Sequence, residues 1–176
     1  MTGQIILNKQ QLHHTIERLA HQLLEDETDL QNIVFIGLQP RGIYISDKII
    51  EHIKALVRDS RNNNNIVQYG KLDITFYRDD FKTEFHHANK TEIPFSIEGK
   101  KVILIDDVLY TGRTIRAALD ALLDFGRPTE VKLCVLVNRR FNRQLPIQPD
   151  YTGIAIDSIV SQKVKVMTDR EEVIVY

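Results

Sequence analysis

The stretch Val102-Ile-Leu-Ile-Asp-Asp-Val-Leu-Tyr-Thr-Gly-Arg-Thr114 decides the fold. Its first four residues, Val102 to Ile105, are branched and apolar, the pattern of a strand buried on both faces. Two adjacent carboxylates, Asp106 and Asp107, stand at the expected carboxyl end of that strand. A turn over Thr111-Gly112-Arg113-Thr114 follows, and Ile115, Ala118, Leu119 and Leu122 then recur on one helical face. Ligands of open α/β sheets bind just beyond the carboxyl ends of strands. A turn that opens a helix presents backbone N–H groups and a positive dipole end, which suits a phosphate. Gly112 permits close backbone approach, and the two threonine hydroxyls add donors. One segment therefore sets acceptors for a diol beside a phosphate cradle, an arrangement suited to a ribose 5-phosphate.

Outward from this segment the chain alternates strand and helix. Ile5 to Leu7 reads as a short strand, and Asn8 with Gln11 predicts a helix cap. Leu12, Ile16, Leu19, Ala20, Leu23 and Leu24 then hold helical spacing to about Glu25. Ile33 to Leu38 is a second buried strand, Gln39-Pro40-Arg41-Gly42 breaks it, and a helix runs to about Val57. Ser60 to Asn65 is a polar loop, and a strand is predicted from about Ile66 to Tyr77. The charged stretch from about Arg78 to Thr91 has no clear period and reads as a mobile loop. A helix over about Thr114 to Phe125 closes at Gly126 and Pro128, and Val131 to Val137 is another buried strand. A polar excursion, Asn138 to Tyr151, precedes short strands near Ile154–Ile156, Val164–Met167 and Val173–Val175. This order predicts one domain of the α/β class with a central, mostly parallel sheet flanked by helices.

The 176 residues are enough for one real core, and 43% of them are apolar. Twenty-three basic residues against 24 acidic ones give a net charge of −1, so a nucleic-acid partner would need a local basic face. Cys134, the single cysteine, lies in an apolar run and reads as a buried, inert thiol. No run approaches the roughly 20 apolar residues that span a bilayer, and no signal-peptide core is present, so no membrane partner and a cytoplasmic location are expected.

The Asp106–Thr114 run resembles the 5-phosphoribosyl-1-pyrophosphate (PRPP) motif of type I phosphoribosyltransferases. Taken with Arg41-Gly42-Ile43-Tyr44 and Asp73-Ile74-Thr75-Phe76-Tyr77-Arg78-Asp79-Asp80, it is similar to the bifunctional PyrR family, over about Ile5 to Lys165. The resemblance implies the type I phosphoribosyltransferase fold with a flexible hood over about residues 66–100. It implies a uracil phosphoribosyltransferase, which makes UMP and pyrophosphate from uracil and PRPP with Mg2+, in pyrimidine salvage or regulation. It implies that Asp106 and Asp107 contact the ribose hydroxyls, with PRPP-bound Mg2+ nearby. On the residues alone the pair could equally be a metal site or a catalytic pair. Val108, Leu109, Tyr110, Thr111, Gly112, Arg113 and Thr114 would bind the 5-phosphate. Gln39, Pro40, Arg41 and Gly42 would bind pyrophosphate, with Arg41 neutralising the leaving group. Many relatives carry Thr where Pro40 stands; proline removes one backbone donor and lowers the cost of a cis bond.

By the same resemblance Asp73, Tyr77, Arg78, Asp79 and Asp80 open the hood, and Arg78 would reach the pyrophosphate on closure. Val137, Arg139 and Val160 would frame the base, with Arg139 guarding the opening. The relatives usually read Val-Asp-Arg-Gly-His-Arg-Glu-Leu-Pro here; this chain has Val137-Asn-Arg-Arg-Phe-Asn-Arg-Gln-Leu-Pro146, one residue longer. That change motivates an alternative, a phosphoribosyltransferase for a 6-oxopurine base. A second alternative is a UMP-responsive attenuator that binds the messenger RNA leader of pyrimidine genes. His21 and Arg143 match positions on the RNA face of the relatives, whereas Glu17 and Gln148 depart from them. The resemblance also implies a homodimer or higher oligomer. The adjacent His86-His87 looks metal-like but reads as surface histidines of the mobile loop.

Overall fold

The computed structural model of the chain describes residues 3–27, 29–59, 66–78 and 89–176. The asparagine run Asn62–Asn65, the hood residues Asp79 and Asp80, and His86-His87 lie outside the described residues. In chain order the elements are β1 (Gln4–Leu7), α1 (Lys9–Asp26), β2 (Ile33–Gln39), α2 (Ile43–Asp59), β3 (Gln68–Asp73), β4 (Lys101–Leu109), α3 (Arg113–Leu122), β5 (Glu130–Arg140), β6 (Tyr151–Asp157), β7 (Val164–Met167) and β8 (Glu172–Val175). A 3-10 turn, Thr75–Tyr77, follows β3.

Five strands form one parallel sheet in the order β3-β2-β4-β5-β6. The pleat sends alternate residues to opposite faces. Ile33, Phe35, Ile103 and Ile105 meet Leu12, Ile16 and Leu19 of α1 and Ile45, Ile49 and Ile53 of α2. Val34, Ile36, Leu38, Val102 and Leu104 meet Ile115, Ala118 and Leu122 of α3 on the other side. With helices on both faces the central strands have no wet side, which is why they read as continuous apolar runs. Cys134 is fully buried here, and burial pushes its thiol up to about 12. A separate antiparallel sheet, β1-β8-β7, sets β7 beside β4. At the start of α1, Asn8 accepts from the Gln11 N–H at 2.9 Å and the Gln11 side chain accepts from the Asn8 N–H at 3.0 Å, the expected reciprocal cap. No helix among the described residues is long and apolar enough to cross a membrane.

Three boundaries differ from the sequence reading. β4 does not stop before the acid pair: Asp106 pairs with Val135, Val108 with Val137 and Leu109 with Asn138, so the strand carries both carboxylates within it. β3 ends at Asp73 and not near Tyr77, because the Asp73 carboxylate accepts the Thr75 N–H at 2.6 Å and turns the chain. β5 continues through Arg139 to Arg140, held by β6 through the pairs Asn138–Ala155 and Arg139–Ile156.

At the opposite end of the sheet Glu27, 2% exposed, accepts from Lys101 at 2.8 Å, from Lys132 at 2.6 Å and from the Tyr151 hydroxyl at 3.1 Å. Burial opposes its charge, but the hydrogen bonds and charges of the two lysines outweigh it and hold the carboxyl below its ordinary 4.5. A depressed folded-state pKa gives stability that is present above that value and lost as the pH falls through the folded one. Glu27→Gln is expected to cost about 2 kcal/mol at pH 7, since it takes the ion-pair partner from Lys132 and leaves Lys101 with Glu130 alone. It should also flatten the acid limb of the stability–pH curve below pH 4.5; denaturant titrations from pH 3 to pH 7 check both effects.

Candidate active site

Asp106 and Asp107 are 5% and 8% exposed at the carboxyl edge of β4. The Asp107 N–H donates to Asp106 Oδ1 at 2.9 Å, and the Val108 N–H donates to Asp107 Oδ1 at 2.7 Å. Burial pushes both carboxyls above the usual range, and for Asp106 the Asp107 charge adds to the rise. The Arg41 charge opposes the shift at both. Two buried carboxylates with a guanidinium acting on them form a donor set that a hard divalent cation or a sugar diol can complete.

The Gln39–Gly42 turn joins β2 to α2 and lies directly against this pair. A Cβ on Gly42 would come within 2.7 Å of the Leu38 carbonyl, 2.9 Å of the Ile105 carbonyl and 3.0 Å of Asp106 Oδ1. Only glycine lets the turn sit so close to the end of β4. The Gln39–Pro40 peptide is cis, and the Gln39 side chain donates to the Lys90 carbonyl at 2.8 Å. A cleft of about 150 Å3 runs between the turn and the small sheet, lined by Arg41, Tyr44, Asp107, Lys165 and Thr168 among others. Lys165 and Thr168 were not singled out in the sequence. They reach the cleft only through the long-range placement of β7, which has no local signature.

Beyond β4, Gly112 stands at φ +93° as the residue before α3, a left-handed conformation that favours glycine. The turn is braced by the segment after β5: the Gln144 N–H donates to the Thr111 carbonyl at 3.0 Å, and Arg143 donates to the Tyr110 carbonyl and, at 2.5 Å, to Asn138 Oδ1. Arg143, expected on an RNA-facing surface, is half-buried in this brace. The Thr111 hydroxyl accepts the Arg113 N–H at 3.4 Å.

The sequence puts Arg139 after the strand, guarding an opening; the structure corrects this. Arg139 is 4% exposed inside β5. It donates to the Ser158 hydroxyl at 2.8 Å and to the carbonyls of Ile159 and Gln162 at 3.1 and 2.9 Å. Its guanidinium stacks 3.8 Å from the centre of the Tyr110 ring. It is a buried tie between the turn at Tyr110 and the Ser158–Gln162 segment. Val137 is fully buried, whereas Val160 is 76% exposed.

Of the hood residues, Asp73 is buried, and burial opposes its charge, but hydrogen bonds from Thr75 and Asn89 outweigh it and hold the carboxyl below its ordinary range. Tyr77 donates to Asp124 just beyond α3. Arg78 Nη1 lies 3.5 Å from the Thr114 hydroxyl, so the described conformation sets it at the start of α3.

The class of protein follows from its domain family, in which such an acid pair and glycine turns recur on a parallel sheet: the chain is a phosphoribosyltransferase. The phosphoribosyl transferase domain family matches residues 3–170. More narrowly, the chain belongs to the bifunctional PyrR family: it is 45% identical to bifunctional protein PyrR of Picosynechococcus over 92% of this chain and 88% of the relative. Its identity to the Bacillus subtilis protein of the same name is 40%, over 94% and 90%. Among solved structures the hypoxanthine phosphoribosyltransferase of Trypanosoma cruzi, in complex with IMP, superposes with a TM-score of 0.66 at 17% identity, covering 87% of this chain and 76% of that one. A hypoxanthine-guanine phosphoribosyltransferase of Bacillus anthracis gives 0.65 at 21%, over 89% and 84%. At such identities these likenesses establish the fold alone.

Arg139→Lys keeps the charge but loses the fork that reaches three oxygens and the flat face on Tyr110. It is expected to destabilise the protein by about 2–3 kcal/mol, read as a lower urea midpoint.

Proposed function

We propose that this chain is a uracil phosphoribosyltransferase that makes UMP and pyrophosphate from uracil and PRPP. The observation that carries the reading is the seating of Gly42 against Asp106, which brings the Pro40–Gly42 turn and the acid pair within one substrate's length. The first turn of α3 and the Thr111 and Thr114 hydroxyls hold the 5-phosphate, since the first N–H groups of a helix have no partner within it. Arg78, which lies beside Thr114 here, reaches the pyrophosphate when the hood closes. Asp106 and Asp107 accept from the ribose hydroxyls. Arg41 stabilises the departing pyrophosphate, an electrostatic effect worth about 2–4 kcal/mol for a well-placed group.

Mg2+ fits the site, because two carboxylate side chains leave its remaining positions to phosphate and water. When bound with PRPP it supplies charge neutralisation at the pyrophosphate. The C1–O bond to pyrophosphate breaks with its electron pair, and the uracil N1 bonds to C1. The N1 proton passes to a carboxylate of the pair. No side chain is a nucleophile, and positioning supplies much of the acceleration.

The direct test follows radiolabelled uracil with PRPP and Mg2+, with hypoxanthine and guanine in parallel. UMP should form with uracil alone, and Asp106→Asn/Asp107→Asn should lower the rate at least about 100-fold with unfolding unchanged or stabilised. Near-normal turnover in the double variant would remove the site assignment. Product from a purine alone would move the base reading to the altered Asn138–Pro146 loop.

A second reading, RNA attenuation, draws on the word bifunctional in the relatives' shared name. It draws also on the open groove lined by Arg143, Pro146, Ile147 and Gln148, and on the exposed His21 of α1. A gel shift with the pyrimidine leader RNA should show binding strengthened by UMP and weakened by salt. No sequence-specific shift at any UMP level would end this reading.

A further inference from the structure

The face of α1 turned toward α2 carries a cluster that the phosphoribosyl chemistry leaves unused. His13 and Glu17 are four residues apart on α1, so their side chains stack on one helical face. His52 projects from the middle of α2, the helix packed alongside. A ring nitrogen of His13, one of His52 and a carboxylate oxygen of Glu17 all lie within 4.8 Å of one another. The two imidazoles meet edge to face, with centroids 6.1 Å apart and planes at 89°. His13 is exposed and the other two are half-buried, so the group sits at the rim of the helix–helix seam, open to solvent.

We infer that His13, Glu17 and His52 form a binding site for a divalent transition-metal ion, with Zn2+ as the type ion. Two imidazole nitrogens and one carboxylate oxygen are a three-ligand set for four-coordinate zinc, the fourth position going to water. Donors about 2.1 Å from a shared zinc stand roughly 3.4 Å from each other, so small rotations of three side chains close the site. Imidazole favours zinc, nickel and copper over magnesium. The cluster therefore differs in kind from the all-oxygen Asp106–Asp107 pair.

The neighbours suit a site of this kind. The His14 ring lies 3.3 Å from Glu17 Oε2, a contact of the type that orients a ligating carboxylate.

The test is calorimetric titration of the full-length, tag-free protein with Zn2+, paired with Co2+ absorption spectra that report tetrahedral coordination. One ion per chain is expected, with binding weakened at least about 100-fold by His13→Gln and by His52→Gln. His21→Gln and the double change His86→Gln/His87→Gln should leave one strong site. Circular dichroism and PRPP turnover verify that each variant is folded. Should His52→Gln fail that check, the exposed His13→Gln decides alone. Absence of stoichiometric Zn2+ binding, binding that survives in folded His13→Gln protein, or loss only with His14, His21 or the His86–His87 pair would overturn the assignment.

Discussion

Two carboxylates held out of water at the end of an apolar sheet set the terms for everything around them. Desolvating a charge is costly unless charge and hydrogen bonds compensate. Here each carboxylate takes a backbone N–H from the next residue, and Arg41 supplies an opposing charge. These donors lie just past Ile105, where pairing with β2 ends while β5 carries β4 onward. The residues that cover the pair must in turn be small. Gly42 meets the requirement where no larger residue fits. The acid pair, the length of β4, the glycine turn and the placement of Arg41 are one linked solution.

Much of this was legible in the sequence, because it is local. The apolar run before Asp106 announces a strand covered on both faces, and the alternating core on either side of the sheet explains why. Asn8 and Gln11 predict their cap because its partners are three residues apart. The phosphate-type turn and its glycine are contiguous as well.

The parts that sequence reasoning misplaced or missed depend on distant partners. Arg139 looks like a solvent-facing arginine after a strand, yet Ser158, Ile159, Gln162 and Tyr110 surround it. None of these is near it in the chain. Lys165 enters the cleft only because β8 pairs with both β1 and β7 and so carries β7 to the end of β4. Asp73 ends its strand early through a side-chain bond that competes with the ladder, a choice that apolar spacing does not encode. His13, Glu17 and His52 likewise come together only when two helices pack, and spacing along α1 accounts for two of the three.

The stack of Tyr110 on Arg139 bears on how such a protein can change over generations. Tyr110 belongs to the turn that opens α3, and Arg139 to the strand that leads into the extended loop. Together with the reach of Arg143 to the Tyr110 carbonyl, it clamps both ends of the variable segment to the same turn. An inserted residue between these anchors bulges outward, as the exposed Phe141 does at φ +68°. A loop of another length or composition can thus be joined at these anchors while the turn they hold keeps its shape, so one side of the cleft can be reworked without disturbing the other.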